Sequence, residues 1–146
     1  MRRLILQSKN MKKILTLLSL AVLMVSSISC DKIGNDFPPY FKVAIDGNIS
    51  GSTSNPADFS KILDVVNPYI NTEIKSEKEA INLYNQLLSQ TKDAPYSVGY
   101  DSSITLLIRK YVAKQESESV ISYDIDKTYT SPVAHIWDKN GSRDLK

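Results

Sequence analysis

Residues 104–114 read ITLLIRKYVAK, residues 115–118 QESE and residues 119–129 SVISYDIDKTY. Their side chains alternate with a period of two, the signature of a half-buried strand. Ile104, Leu106, Ile108 and Val112 fall on one face of the first run; Thr105, Leu107, Arg109, Tyr111 and Ala113 fall on the other. In the second run Ile121, Tyr123, Ile125 and Tyr129 share a face, opposite Ser122, Asp124 and Asp126. The polar QESE between them reads as the turn of an antiparallel hairpin. PVAHIWD (132–138) reads as a third strand. Asn140-Gly141 after it is a strong hairpin signal, followed by a short last strand at most.

Upstream, YFKVAID (40–46) alternates with Phe41, Val43 and Ile45 on one side and predicts a strand. GNISGSTS (47–54) is a loop. Asn55-Pro56-Ala57-Asp58 looks like a helix start, with Phe59, Ile62, Leu63 and Val66 at helical spacing behind it and Asn67-Pro68 as the stop. Residues 76–92 carry the clearest helical pattern. Ser76 and Glu79 form a capping box, and Ala80, Ile81, Leu83, Tyr84, Leu87 and Leu88 make one wide apolar face. The predicted fold is α+β: one or two helices packed on a small antiparallel sheet of three to five strands. The order of elements resembles cystatin-like and other helix-on-curved-sheet arrangements.

The first 39 residues have a different character. ILTLLSLAVLMV (14–25) holds no charge, follows Met11-Lys12-Lys13 and leads into Ser26-Ser27-Ile28-Ser29-Cys30. A positive start, a short apolar run and a small-residue exit form an export signal. The run is shorter than the roughly 20 residues of a permanent span. Residues 1–10 lengthen the positive region; starts at Met1 and at Met11 lead to the same mature chain. Val25-Ser26-Ser27-Ile28-Ser29-Cys30 resembles the lipobox of bacterial lipoproteins. Ile28 departs from that pattern, where a small residue is usual, as does Ser27, where an aliphatic residue is usual. The resemblance covers about 20 residues, judged by the length of such export signals. It implies cleavage before Cys30 and a diacylglycerol on its sulfur, hence anchoring to a membrane of the bacterial cell envelope, inner or outer. The expected organisation is a signal peptide (1–29), a lipidated cysteine and tether (30–39) and a single domain (40–146). Pro38-Pro39 stiffens the end of the tether.

Charge follows that division. The 146 residues carry 18 basic and 16 acidic groups, and five of the basic ones (Arg2, Arg3, Lys9, Lys12, Lys13) precede Cys30. The mature chain is therefore net acidic, with scattered cations, which argues against nucleic-acid binding. Cys30 is the single cysteine, so no intrachain disulfide forms.

Candidate chemistry is sparse. His135 is the single histidine and shares a strand face with Val133 and Trp137. It reads first as a half-buried sheet residue with a hydrogen-bond partner, and second as a base or metal ligand. Asp124 and Asp126 read as a solvated strand face, with acid–base work or calcium as the alternative. Residues 138–144 (DKNGSRD) carry acidic groups, but their spacing does not fit an EF-hand loop. No metal site and no cofactor are expected. Tyr96, Tyr100 and Trp137 are expected to form a contact surface, because tyrosine and tryptophan combine apolar area with a polar tip. The leading functional expectation is a non-catalytic, lipid-anchored domain that binds an envelope protein, peptide or glycan. An envelope hydrolase using His135 or Asp124/Asp126 is the first alternative, and a structural or assembly component the second.

Overall fold

The computed structural model of the chain describes residues 36–49, 56–99 and 101–145. The chain divides into two compact units, residues 1–38 and 39–146. The second contains β1 (Tyr40–Asn48), α1 (Ser60–Val66), α2 (Glu77–Thr91), β2 (Ser103–Ser117), β3 (Val120–Ile125), β4 (Ala134–Asp138) and β5 (Gly141–Asp144). It is an α+β domain, with two helices against one five-stranded antiparallel sheet.

β2 organises the sheet. Along one edge it pairs with β1, from Asn48↔Ser103 to Tyr40↔Tyr111. Its other edge is shared: residues 104–107 pair with β4, and residues 111–117 pair with β3. The sheet therefore forks, and the segment joining β3 to β4 crosses the gap. Ile104, Leu106 and Ile108 face the helices and are buried, together with Val43 and Trp137. Against them pack Phe59, Ile62 and Val66 from around α1, and Ala80, Tyr84 and Leu87 from α2.

α2 follows its sequence pattern closely. Ser76 caps it, its Oγ accepting from the Glu79 N–H at 3.3 Å, and Lys92 closes it with a bond to the Leu88 carbonyl. α1 starts at Ser60, later than Pro56 suggests. Asp58 exchanges two backbone hydrogen bonds with Ser97, both 2.9 Å, which hold it extended. Its carboxylate then accepts from the Ser60 N–H at 2.9 Å; the N-cap position falls on Phe59, beyond the expected Asn55, and no side chain caps it. Asn55 lies outside the described residues. Asn67 ends α1, as the following proline requires.

Two strand boundaries move for tertiary reasons. The β2–β3 ladder runs through Gln115↔Ile121 and Ser117↔Val120, with an irregularity between Gln115 and Ser117. Most of QESE is thus strand, and the connection shrinks to Glu118 and Ser119. β3 ends at Ile125 because Asp126 turns the chain: its carboxylate accepts from the Thr128 N–H (3.0 Å) and hydroxyl (2.7 Å). Tyr129 is consequently not a strand residue; its ring meets Phe41 edge-on instead. The Asn140-Gly141 signal does mark a hairpin, with Lys139 and Asn140 between the paired Asp138 and Gly141. Gly141 supplies the left-handed residue (φ 102°).

Two substitutions test this packing. Leu87 is fully buried, so Leu87→Ala should cost about 2–5 kcal/mol in urea unfolding, and Leu87→Asp should leave no cooperative transition. At Gly47 a Cβ would lie 2.2 Å from the Ser103 carbonyl oxygen, a backbone atom that cannot swing away. Gly47→Ala should therefore lose about 1–3 kcal/mol, the usual range for overpacking; an unchanged melting curve would contradict the β1–β2 register.

Candidate functional site

The face of the sheet opposite the helices carries the most varied surface. Antiparallel partners share a face, so register assigns it. Tyr40, Lys42, Ala44 and Asp46 of β1 lie opposite Tyr111, Arg109, Leu107 and Thr105 of β2. Ile125 and Tyr123 of β3 lie opposite Tyr111 and Ala113, and Ala134 of β4 lies opposite Leu107.

At the fork this face opens into a cleft of about 480 Å³, within the usual range for small-ligand sites. Leu107, Ile125, Ala134 and Leu145 give it apolar walls, and Thr105 and Thr130 add hydroxyls. Two ion pairs flank it. Arg109 is bonded to Asp46, which raises the guanidinium pKa further. Lys110 Nζ lies 3.3 Å from Asp126. The Thr128 hydrogen bonds, ahead of Lys110, hold the Asp126 carboxyl below its ordinary value. The crossing segment also completes the broken edge of β2. Ser131 Oγ accepts from the Ile108 N–H at 3.0 Å and donates to the Val133 carbonyl at 2.5 Å. The Asp126 N–H bonds the Lys110 carbonyl at 2.9 Å.

Next to the cleft sits an aromatic cluster. Tyr40 stacks on Tyr111 (centroids 5.0 Å apart, 11° between planes) and meets Tyr123 at 4.8 Å. Lys42 Nζ lies 5.4 Å from the centroids of both Tyr40 and Tyr111, a cation–π geometry. The three tyrosines come from three strands, and only the β1–β2–β3 register brings them together.

His135 sits elsewhere, on the helix-facing side of β4. It is 6 % exposed, and both ring nitrogens are engaged. Nδ1 lies 2.6 Å from Asp144 Oδ1 and Nε2 lies 2.7 Å from Ser142 Oγ. Ser142 also donates to the Lys92 carbonyl at 3.0 Å, tying β5 to the end of α2. The ring packs edge-on against Trp137 at 4.6 Å. Ser142, His135 and Asp144 are thus connected in the order of a nucleophile, a base and its orienting acid. Sequence reading missed this set because Ser142 and Asp144 belong to the short last strand, whose register was not legible.

Of the expected contact surface, Trp137 and Tyr96 are among the described residues. Trp137 is fully buried, because its side of β4 faces the helices, so it belongs to the core and not to an exposed patch. Its indole N–H finds no partner among the described residues. Tyr96 is half-buried, stacked on Phe59, and its hydroxyl donates to the Asp138 carbonyl at 3.2 Å. Tyr100 and Cys30 lie outside the described residues. Asp124 and Asp126 do not converge: one faces Lys114 at 3.8 Å and the other Lys110. In the 138–144 segment, Arg143 takes both oxygens of Asp138, at 2.6 and 2.8 Å. Among the described residues, no group of three or more His, Cys, Asp or Glu is placed to hold a metal ion. No helix among them is long and apolar enough to cross a membrane.

No family model matches the chain, and neither a curated protein nor a solved structure matches it significantly.

Tyr84 provides a pH test of the helix–sheet interface. Burial first, and then the Asp144 carboxylate, push its phenol up to about 12 from an ordinary 10. Raising the folded-state value favours the neutral phenol. The resulting stability is intact below pH 10 and is lost as pH climbs from 10 towards 12. Tyr84→Phe should unfold at nearly the wild-type urea midpoint near neutrality and resist alkali better across that window. Parallel alkaline losses in the two proteins would contradict the buried placement.

Proposed function

We propose that this chain is a lipid-anchored cell-envelope domain that works by binding, with the cleft at the sheet fork as its ligand site. The anchor rests on the sequence: a positive start, the uncharged run 14–25 and the single cysteine that follows it after Ser26-Ser27-Ile28-Ser29. Binding rests on one observation, the cleft of about 480 Å³ with apolar walls and two ion pairs at its rim. Such a lining suits a ligand with both apolar and polar groups. A short peptide or glycan segment of the envelope has that character. Arg109 and Asp46 both line the cleft and are paired with each other, which places a charged group of each sign at its rim.

Two measurements test the two halves. Intact-mass analysis of the protein from its native membrane should show Cys30 at the N-terminus, carrying diacylglycerol; an unmodified thiol would end the anchor reading. Leu107→Trp should fill the cleft without touching the helix-side core. Envelope peptides or glycans retained by the wild-type chain should be lost from this variant at unchanged thermal stability. Equal retention by both proteins, or none by either, would overturn the cleft as the site.

A hydrolase is the second reading, favoured by the Ser142–His135–Asp144 chain. Two features weigh against it. Ser142 already donates to Lys92, and the Asp144 side chain, 77 % exposed, is the open member where an orienting acid is usually buried. Labelling of Ser142 by a fluorophosphonate, abolished in Ser142→Ala, would establish hydrolysis over the binding reading.

A further inference from the structure

We infer that the end of the sheet bearing Tyr40, Tyr111 and Tyr123 rests on the lipid surface to which the chain is anchored. The inference builds on acylation of Cys30 and adds an orientation to it.

Tether length comes first. Cys30 precedes Tyr40 by ten residues, an extended reach of at most about 35 Å. Wherever the domain swings, the start of β1 stays within that distance of the bilayer. No other part of the domain is constrained so closely by the sequence.

The second observation is what stands there. Tyr40 opens β1 and is packed with Tyr111 and Tyr123. Ile121 and Ile125 share their face by the β2–β3 register, and Ile125 is 39 % exposed. Lys42 is a cation beside them, as is Arg109, which is paired with Asp46. Tyrosine favours the boundary between headgroups and hydrocarbon, where its ring is apolar and its hydroxyl stays wet. A lysine stem lies along apolar surface while its ammonium reaches the headgroups. Two acidic residues of this hairpin are engaged away from the patch: Asp124 pairs with Lys114 on the opposite face, and Glu116 accepts from Ser122. Glu118 lies in the turn beyond them, and Glu73 is the carboxylate near enough to act on Tyr40.

The third argument is energetic. A few half-buried tyrosines hold a free protein on a bilayer only weakly. Attachment at Cys30 makes the second contact intramolecular, which raises its effective concentration above that of a free protein. Weak contacts then suffice to orient the domain. Thr105 and Ala134, on the far wall of the cleft, lie towards the other end of β2. Thr105 is six residues from Tyr111, about 20 Å along the strand, so that part of the cleft lies away from the docked end, while Ile125 borders both.

The test uses the full acylated chain in phosphatidylethanolamine–phosphatidylglycerol vesicles. Cys30 is the sole native cysteine, so once it is acylated an introduced thiol is the one available for labelling. A bimane label is placed at Ile121→Cys, and separately at Asn82→Cys on the exposed side of α2. The Ile121 label should shift to the blue and lose emission to lipids brominated near the headgroup, while the Asn82 label should do neither. Equal behaviour of the two labels would overturn the orientation. Quenching that depends on protein density and not on bromolipid would overturn it too, by assigning the patch to a second copy. Mass analysis of the same sample separates the failures. Acylated Cys30 with an unquenched Ile121 label removes the docking alone, and an unmodified Cys30 removes both readings.

Discussion

β2 is longer than the helices that cover it, and the rest of the architecture follows from that mismatch. Fifteen strand residues extend about 50 Å, whereas the fifteen residues of α2 extend about 22 Å. The helices therefore bury Ile104, Leu106 and Ile108 and leave the second half of the strand beyond their reach. That half needs another source of order. It gets one from β3 along its edge and from the tyrosine cluster on the face away from the helices. The same length splits the edge of β2 between β3 and β4, and the cleft is the space left where they part.

Short side-chain and backbone ties hold that divided edge together. Ser131 stands in for a missing strand at the Ile108 N–H, and Asp126 both turns the chain and pins it to Lys110. Similar ties close the helical layer. The Asp58–Ser97 exchange fixes the entry to α1, and the Phe41–Ile74 exchange, at 2.7 and 2.9 Å, stitches the segment before α2 to the outer edge of β1. Each satisfies backbone groups that a chain with short elements would otherwise leave without partners.

The two polar constellations differ in what surrounds them. Around His135 the partners are cross-strand neighbours and a helix-end carbonyl, and the ring lies against Trp137 in the core. This is how a buried polar ring is satisfied while β5 is fastened to the domain. At the fork the charged groups pair at the rim of an open, mostly apolar space. The second arrangement leaves room for a ligand, which is why the binding reading rests there.

Sequence by itself determined what depends on local periodicity and local capping. The Ser76 cap, the apolar face of α2, the alternation of β1 and β2, the stop at Asn67-Pro68 and the hairpin at Asn140-Gly141 all act within a few residues, so composition and spacing reveal them. Tertiary structure decided what depends on register between distant strands. Trp137 and Tyr96 look like surface anchors in sequence because nothing local records which side of β4 meets the helices, or that Phe59 awaits Tyr96. Tyr40, Tyr111 and Tyr123, and likewise Ser142, His135 and Asp144, become neighbours only through pairing. Because side chains alternate faces at every residue, a pairing shifted by one position would have dispersed both sets while leaving the sequence pattern unchanged.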